Sequence, residues 1–201
     1  MHYCIQRRCQ GNPGRINVRV IAGKYRSRKL QAPPGMSTRP TSDRLRETLF
    51  NVVAPRTPDS VWLDLYAGSG AIGIEALSRG AEQVYFVEVD KKAVRAIRKN
   101  FEALELREGY EILQGEVAQS IYMLDERGVT CDVCFVDPPY SMRGAYEQTL
   151  KALAGTRILK PDALVVVEHE KHFDPGDTCG GFTRYRELKQ GDAVLSFYRK
   201  G

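Results

Sequence analysis

No stretch of this 201-residue chain approaches the ~20 consecutive apolar residues that a membrane span requires. No apolar signal segment follows Met1, so a cytoplasmic protein without a membrane partner is expected. Cysteine is sparse and irregular: the five residues at 4, 9, 131, 134 and 179 form no paired framework, and their number is odd. Cys131-Asp132-Val133-Cys134 has C-x-x-C spacing, but it enters an apolar strand, where positions i and i+3 point to opposite faces. No second pair completes a zinc site, and His2, Cys4 and Cys9 have too few partners. Buried free thiols and no metal are the expectation. Acidic residues are absent before Asp43. Residues 1–60 hold twelve Lys or Arg against Asp43, Glu47 and Asp59, a net of +9, which leaves −4 for the rest of a chain whose total is +5. A basic segment ahead of a mildly acidic body is the footprint of a polyanion-binding arm.

Residues 1–17 show no periodicity and read as a disordered basic extension. Val18 to Leu30 reads as two short strands around Gly23, with Arg19, Lys24, Arg26, Arg28 and Lys29 interleaved. After Pro33-Pro34-Gly35, the run Arg39-Pro40-Thr41-Ser42-Asp43 starts a helix capped by Thr41 or Ser42. Its apolar positions are Leu45, Leu49, Val52 and Val53, with Arg44 and Arg46 projecting from other faces. Residues 18–56 thus form a basic hairpin and helix, and 57–201 a separate catalytic domain.

From Val61 onward strand and helix alternate, which predicts a mostly parallel sheet with helices on both faces. Strands are expected near 61–65, 83–89, 110–114, 132–136 and 162–169, and helices near 71–79, 91–104, 117–127 and 143–154. The last two strands, 182–188 and 193–198, are joined by a short Gly-Asp loop and form an antiparallel hairpin. The expected fold is α/β with seven strands, doubly wound, its final strand running backwards. That is the Rossmann-like methyltransferase arrangement rather than a dinucleotide dehydrogenase.

Leu63-Asp64-Leu65-Tyr66-Ala67-Gly68-Ser69-Gly70-Ala71-Ile72-Gly73 places G-x-G-x-x-G between a strand and a helix. Asp64 is positioned to meet an ammonium group, and a carboxylate there would repel a pyrophosphate. This favours S-adenosyl-L-methionine over NAD, with Tyr66, Ala67, Gly68, Ser69 and Gly70 wrapping the donor. Glu88, followed by Val89, can accept both ribose hydroxyls. Glu116 can bond an adenine amino group while Val117 offers its backbone N–H.

Asp137-Pro138-Pro139-Tyr140 closes the apolar run 133–136. The lone pair of a base's exocyclic amine is conjugated into its ring and is a poor nucleophile. A carboxylate oxygen and the Pro138 carbonyl can each take one of its two hydrogens, freeing the lone pair for in-line attack. Pro138 and Pro139 have fixed φ and no N–H, which turns carbonyls toward the site. Tyr140 supplies an aromatic face for the base. Adenine, cytosine and guanine amines all satisfy this geometry. His169 reads as a strand-end residue, since the chemistry needs no strong base.

These residues resemble the bacterial 16S rRNA guanine-N2 methyltransferase family (RsmD type). The likeness covers about Val18 to Arg199. It is carried by the block from Arg19 to Leu30, the block from Arg39 to Asn51, Leu63 to Gly70, Phe135 to Tyr140, and Gly191 to Tyr198. It implies methylation of one guanine N2 in 16S rRNA, in the small ribosomal subunit or an assembly intermediate; a monomer is expected. Arg19, Lys24, Arg26, Arg28, Lys29, Arg39, Arg44 and Arg46 would then grip RNA phosphates. The family usually starts near Val18, so residues 1–17 read as an added extension. Glu116-Val117 stands where the family commonly has Asp-Ala. A DNA adenine or cytosine amino-methyltransferase, a protein-glutamine methyltransferase and an inactive RNA-binding assembly factor are the competing readings.

Overall fold

The computed structural model describes residues 18–33 and 41–201; the expectations for residues 1–17 and for Arg39 lie outside them. The chain begins with two short antiparallel strands, β1 (Val18–Arg19) and β2 (Lys29–Leu30), then α1 (Asp43–Val53) and a 3₁₀ turn over Ala54–Arg56. Ser42 caps α1, its hydroxyl accepting from the Leu45 N–H at 3.2 Å. Parallel strands and helices follow in alternation: β3 (Val61–Leu65), α2 (Ala71–Ser78), β4 (Gln83–Glu88), α3 (Lys91–Leu104), β5 (Tyr110–Gln114), α4 (Val117–Glu126), β6 (Cys131–Val136), α5 (Arg143–Ala154) and β7 (Leu159–Glu170). The chain closes with β8 (Thr178–Cys179), β9 (Phe182–Gln190) and β10 (Ala193–Lys200).

Sheet order is β5-β4-β3-β6-β7-β10-β9-β8. β10 lies between β7 and β9 and runs antiparallel to both, as the hairpin at the end of the chain predicts. The sequence reading anticipates seven strands. The eighth, β8, is a two-residue edge strand paired with β9 through Thr178–Thr183 and Cys179–Phe182.

Two apolar layers flank the sheet. On one face Trp62, Phe86, Val133, Phe135 and Val166 pack with residues of α1, α2 and α3. On the other, Leu63, Leu65, Val87, Cys134 and Val165 pack with α4 and α5. Alternation along each strand sorts the two sets. Cys131 and Cys134, expected on opposite faces, both fall in the second layer, because the β6–β7 register shifts between Cys131 and Val133. Burial raises both thiols well above the ordinary cysteine range, Cys131 to about 12.

The N-terminal hairpin is built into the body. Val18, Val20 and Leu30 join the first layer beside Leu45, Leu49 and Phe50. The buried Glu75 carboxylate of α2 accepts from the Ile21 and Ala22 N–H groups at 2.7 and 2.9 Å. The end of α2 holds the turn as well, with Lys24 N–H on the Ser78 carbonyl at 2.7 Å and Tyr25 N–H on its hydroxyl at 2.9 Å.

Arg46, expected on the RNA-facing surface, is instead 0% exposed. Its Nη2 donates to the Arg19 carbonyl at 2.6 Å and to Asp43 at 2.8 Å. At 100° per residue Arg46 falls between Leu49 and Phe50, inside the buried arc of α1. The nearby Glu75 and Glu168 carboxylates offset the cost of burying its charge.

Candidate active site

The carboxyl ends of β3, β4, β5 and β6 open on one cleft of about 480 Å³. Asp64, Tyr66, Ala67, Gly68, Ser69, Glu88, Val89, Glu116, Val117 and the whole run from Asp137 to Tyr140 line it. Gly70 stands just outside the lining, as the N-cap of α2. Ligands bind at this place in open α/β sheets, where the crossovers diverge to opposite faces.

The glycine loop leaves β3 through three left-handed residues: Tyr66 (φ 62°), Gly68 (φ 58°) and Gly70 (φ 75°). The two glycines adopt this conformation at little cost, whereas Tyr66 does so under strain of about 1–2 kcal/mol. Its hydroxyl is pinned to the Thr149 hydroxyl at 2.8 Å. The third glycine, Gly73, serves packing: a Cβ there would sit 2.3 Å from the Phe86 ring, so α2 can lie this close to β4 only without one.

Asp64 is buried, and its Oδ2 accepts the Gly73 N–H at 2.9 Å. Burial pushes its carboxyl up to about 8, against that hydrogen bond and with some repulsion from Glu88. A cation arriving at Asp64 would restore the charged form. Glu88 holds the loop from the next strand, its Oε2 accepting the Gly68 N–H and its Oε1 the Asp90 N–H, both at 2.8 Å. Each oxygen retains acceptor capacity toward the cleft. Glu116 is exposed at the N-cap of α4, and the Val117 backbone begins that helix.

Asp137 follows β6, half-buried, with its N–H on the Leu65 carbonyl at 3.4 Å. Its carboxyl is raised well above the usual range by loss of hydration, then by Glu168 and Asp64. The sequence reading passed over Glu168. It is 2% exposed on β7, and β7 pairs with β6 so that Val167 faces Val136; Glu168 therefore stands beside Asp137. Burial raises the Glu168 carboxyl to about 7, opposed by the Thr41 hydroxyl at 2.8 Å and by the Arg46 charge. The available signal was an acid directly after the Val165-Val166-Val167 run, at a strand end level with Asp137. Thr41, Pro33, Lys92 and Met142 also line the cleft, and the sequence reading placed none of them there.

His169 is buried and fully engaged: Nε2 meets the Ser196 hydroxyl at 2.9 Å and Nδ1 the Phe173 carbonyl at 2.6 Å. Its ring is occupied by the fold. Of the basic residues expected to hold RNA, Lys24, Arg26, Arg28, Lys29 and Arg44 are exposed. Arg19 is exposed too, with its Nε on Asp43 at 2.9 Å. Among the described residues no group of three or more His, Cys, Asp or Glu side chains could hold a metal ion, and no helix is long and apolar enough to cross a membrane.

The model of the family described as Conserved hypothetical protein 95 matches residues 18–199. Ribosomal RNA small subunit methyltransferase D of Escherichia coli (strain K12) is 34% identical over 187 residues, covering 93% of this chain and 92% of its own. The protein of the same name from Haemophilus influenzae is 40% identical over 182 residues, covering 90% of this chain and 93% of its own. Among solved structures, a hypothetical protein of Thermus thermophilus, TTHA0928, superposes with a TM-score of 0.78 at 29% identity, over 92% of this chain and 99% of that one. With a family match spanning β1 to β10 and relatives above 30% identity along nearly their whole length, the chain belongs to the Conserved hypothetical protein 95 family, that of the small-subunit ribosomal RNA methyltransferase D proteins.

Proposed function

We propose that the protein transfers a methyl group from S-adenosylmethionine to the exocyclic N2 amine of a guanine in small-subunit ribosomal RNA. One observation carries the reading: the glycine loop, Asp64 and Glu88 share a single cleft with Asp137-Pro138-Pro139-Tyr140. A donor pocket and an amine-holding turn thereby face each other. The names of the relatives support a small-subunit ribosomal RNA substrate, the resemblance of the sequence blocks suggests the guanine, and the exposed basic hairpin suits a polyanion.

S-adenosylmethionine supplies a sulfonium-bound methyl group at this position. Asp64 would meet the ammonium of its methionine portion, the backbone of 66–69 would wrap it, Glu88 would accept from the ribose hydroxyls, and Glu116 and Val117 would flank the adenine. Tyr140 stacks on the extruded guanine, a contact worth roughly 1–3 kcal/mol. One hydrogen of the N2 amine goes to an Asp137 oxygen and the other to the Pro138 carbonyl. The nitrogen lone pair would take the methyl group as the S–CH3 bonding pair returns to sulfur, leaving a neutral thioether, and the methylated nitrogen would then lose one proton to solvent. A group that only accepts hydrogen bonds need not be a strong base, so the upward shift of the Asp137 carboxyl by loss of hydration, and then by Glu168 and Asp64, is compatible with the chemistry.

The test uses small subunits from a strain lacking the protein, incubated with enzyme and tritium-labelled donor. Label at a single guanine N2 is expected. Label on another base overturns the guanine assignment, and no label on RNA overturns the activity. Asp137→Ala is expected to lower turnover by at least about 10²-fold while donor binding persists; turnover within a few-fold of wild type would remove Asp137 from the mechanism.

A further inference from the structure

We propose that the exposed face of α3 continues the hairpin's phosphate-binding surface up to the mouth of the cleft, so that the RNA backbone runs along a track made by both elements. The inference rests on the proposed function, because it names the path of that substrate. It adds residues that lie outside the basic N-terminal segment, in the part of the chain whose net charge is negative.

Lys91, Lys92, Arg95, Arg98 and Lys99 are all exposed. At 100° per residue they fall within about 120° of arc. Ala93, Val94, Ala96, Ile97, Asn100, Phe101 and Leu104 make up the buried side. From Lys91 to Lys99 the stripe is about 12 Å long at 1.5 Å per residue. The sequence has no acid between Asp90 and Glu102.

Such a run is often only a solvated helix face, and two observations set this one apart. First, none of the five cations has a carboxylate within 4.0 Å among the described residues. About half of the other described cations are paired with a carboxylate, as with Arg79–Glu75, Arg127–Glu111, Lys160–Asp132 and Arg184–Asp174, and those of the hairpin, Lys24, Arg26, Arg28 and Lys29, share the unpaired state of the α3 stripe. Second, the stripe is joined at both ends to elements already placed. Asn100, buried on α3, accepts from the Gln31 N–H at 2.7 Å and donates to the Gln31 carbonyl at 3.1 Å and to the Ser69 carbonyl of the glycine loop at 3.0 Å. The Arg28 guanidinium donates to the Ala103 carbonyl. The chain leaving the hairpin is thus tied to α3, and Lys92 and Pro33 both line the cleft. Beyond Lys99 the surface changes character: Glu102 and Glu105 share a groove with Arg98 and Arg107, and those acids bound the track.

The experiment compares three alanine sets, each with Arg or Lys exchanged: Arg95/Arg98/Lys99 on α3, Arg26/Arg28/Lys29 on the hairpin, and Lys151/Lys189 as distant exposed controls. Binding to unmodified small subunits is measured from low to moderate salt. Each lost phosphate contact flattens the slope of log K against log salt by about 0.7–0.9. The α3 set is expected to flatten it by roughly 2, to raise KM for RNA at least about tenfold, and to leave donor affinity and kcat near wild type. Alanine at exposed helix positions preserves α3, and an unchanged melting curve checks this. An unchanged slope for the α3 set alongside a flattened one for the hairpin set overturns the track and leaves the proposed function standing. Equal flattening by the distant controls also overturns it. Failure of wild-type enzyme to methylate RNA is the separate result that removes the proposed function.

Discussion

Gly23→Ala is expected to prise the N-terminal hairpin from α2. Gly23 has φ +80°, and a Cβ there would lie 1.8 Å from the Ser78 carbonyl oxygen and 2.4 Å from its carbon. An ordinary C···O contact is about 3.3–3.6 Å, so the turn must retreat by roughly 1.5 Å. The obstacle is helix backbone, which cannot rotate aside. Retreat breaks the Lys24 N–H bond to Ser78 O and the Tyr25 N–H bond to Ser78 Oγ, and with them the bond from the Ser78 hydroxyl to the Ala22 carbonyl. Three hydrogen bonds at about 1 kcal/mol each, plus about 1–2 kcal/mol for the left-handed alanine, give roughly 4–5 kcal/mol. The free energy that docks the hairpin sets the ceiling. Since Val18, Val20 and Leu30 belong to the main core, the loss should reach global stability, at about 2–4 °C per kcal/mol for a chain of this size. Calorimetry should therefore show a Tm lower by roughly 8–20 °C. Hydrogen exchange should show the Lys24 and Tyr25 amides deprotected ahead of the sheet. Gly144→Ala is the control, because a Cβ there meets nothing within 4 Å. A Gly23→Ala protein that melts within about 2 °C of wild type, with both amides still protected, would refute the close approach.

Two further predictions concern protons. Asp64, Asp137 and Glu168 are each raised above their unfolded values, Asp64 to about 8 and Glu168 to about 7. Between about pH 4 and pH 8 the folded protein therefore binds more protons than the unfolded chain, and stability falls as pH climbs through that window. Tm should be higher at pH 5.5 than at pH 8.5, with a smaller difference in Glu168→Gln; a Tm that is flat or rises with pH contradicts the burial of these groups. Donor binding should draw a proton from Asp64, because the donor's ammonium favours the carboxylate. Calorimetric titration at pH 7 in buffers of different ionisation enthalpy should detect proton release that Asp64→Asn abolishes, and release persisting in that variant would place the coupling elsewhere.

Reading the sequence recovered α3, α5, β3 and β5 to the residue, because each couples a clear period to a defined end, such as Asp90 capping α3 through the Lys92 N–H. β8 escaped because two residues at a sheet edge carry no period. The misplacement of Arg46 has a definite cause. Counting only Leu45, Leu49, Val52 and Val53 makes the apolar stripe of α1 too narrow; adding Phe50 widens it until Arg46 lies within. The same rule that finds amphipathic helices assumes that charge points outward, and Arg46 departs from it because Asp43 of its own helix and acids from two other segments, Glu75 and Glu168, surround it. The two cysteines on β6 were misassigned to opposite faces because a local register shift leaves no mark on composition or spacing.

What the sequence determined by itself was the set of groups and the ends of the strands that carry them. Glycines between a strand and a helix, acids at strand ends, and Asp-Pro-Pro-Tyr after an apolar run are local patterns, and strand polarity is enough to bring them to one edge of a parallel sheet. Tertiary structure alone decided what long-range proximity controls. It set Glu168 beside Asp137 through the register of two strands some thirty residues apart, buried Arg46 among carboxylates from α1, α2 and β7, and laid the hairpin against α3 through Asn100. Electrostatic energy depends on distance through space and on exclusion of water, and a one-dimensional pattern encodes neither.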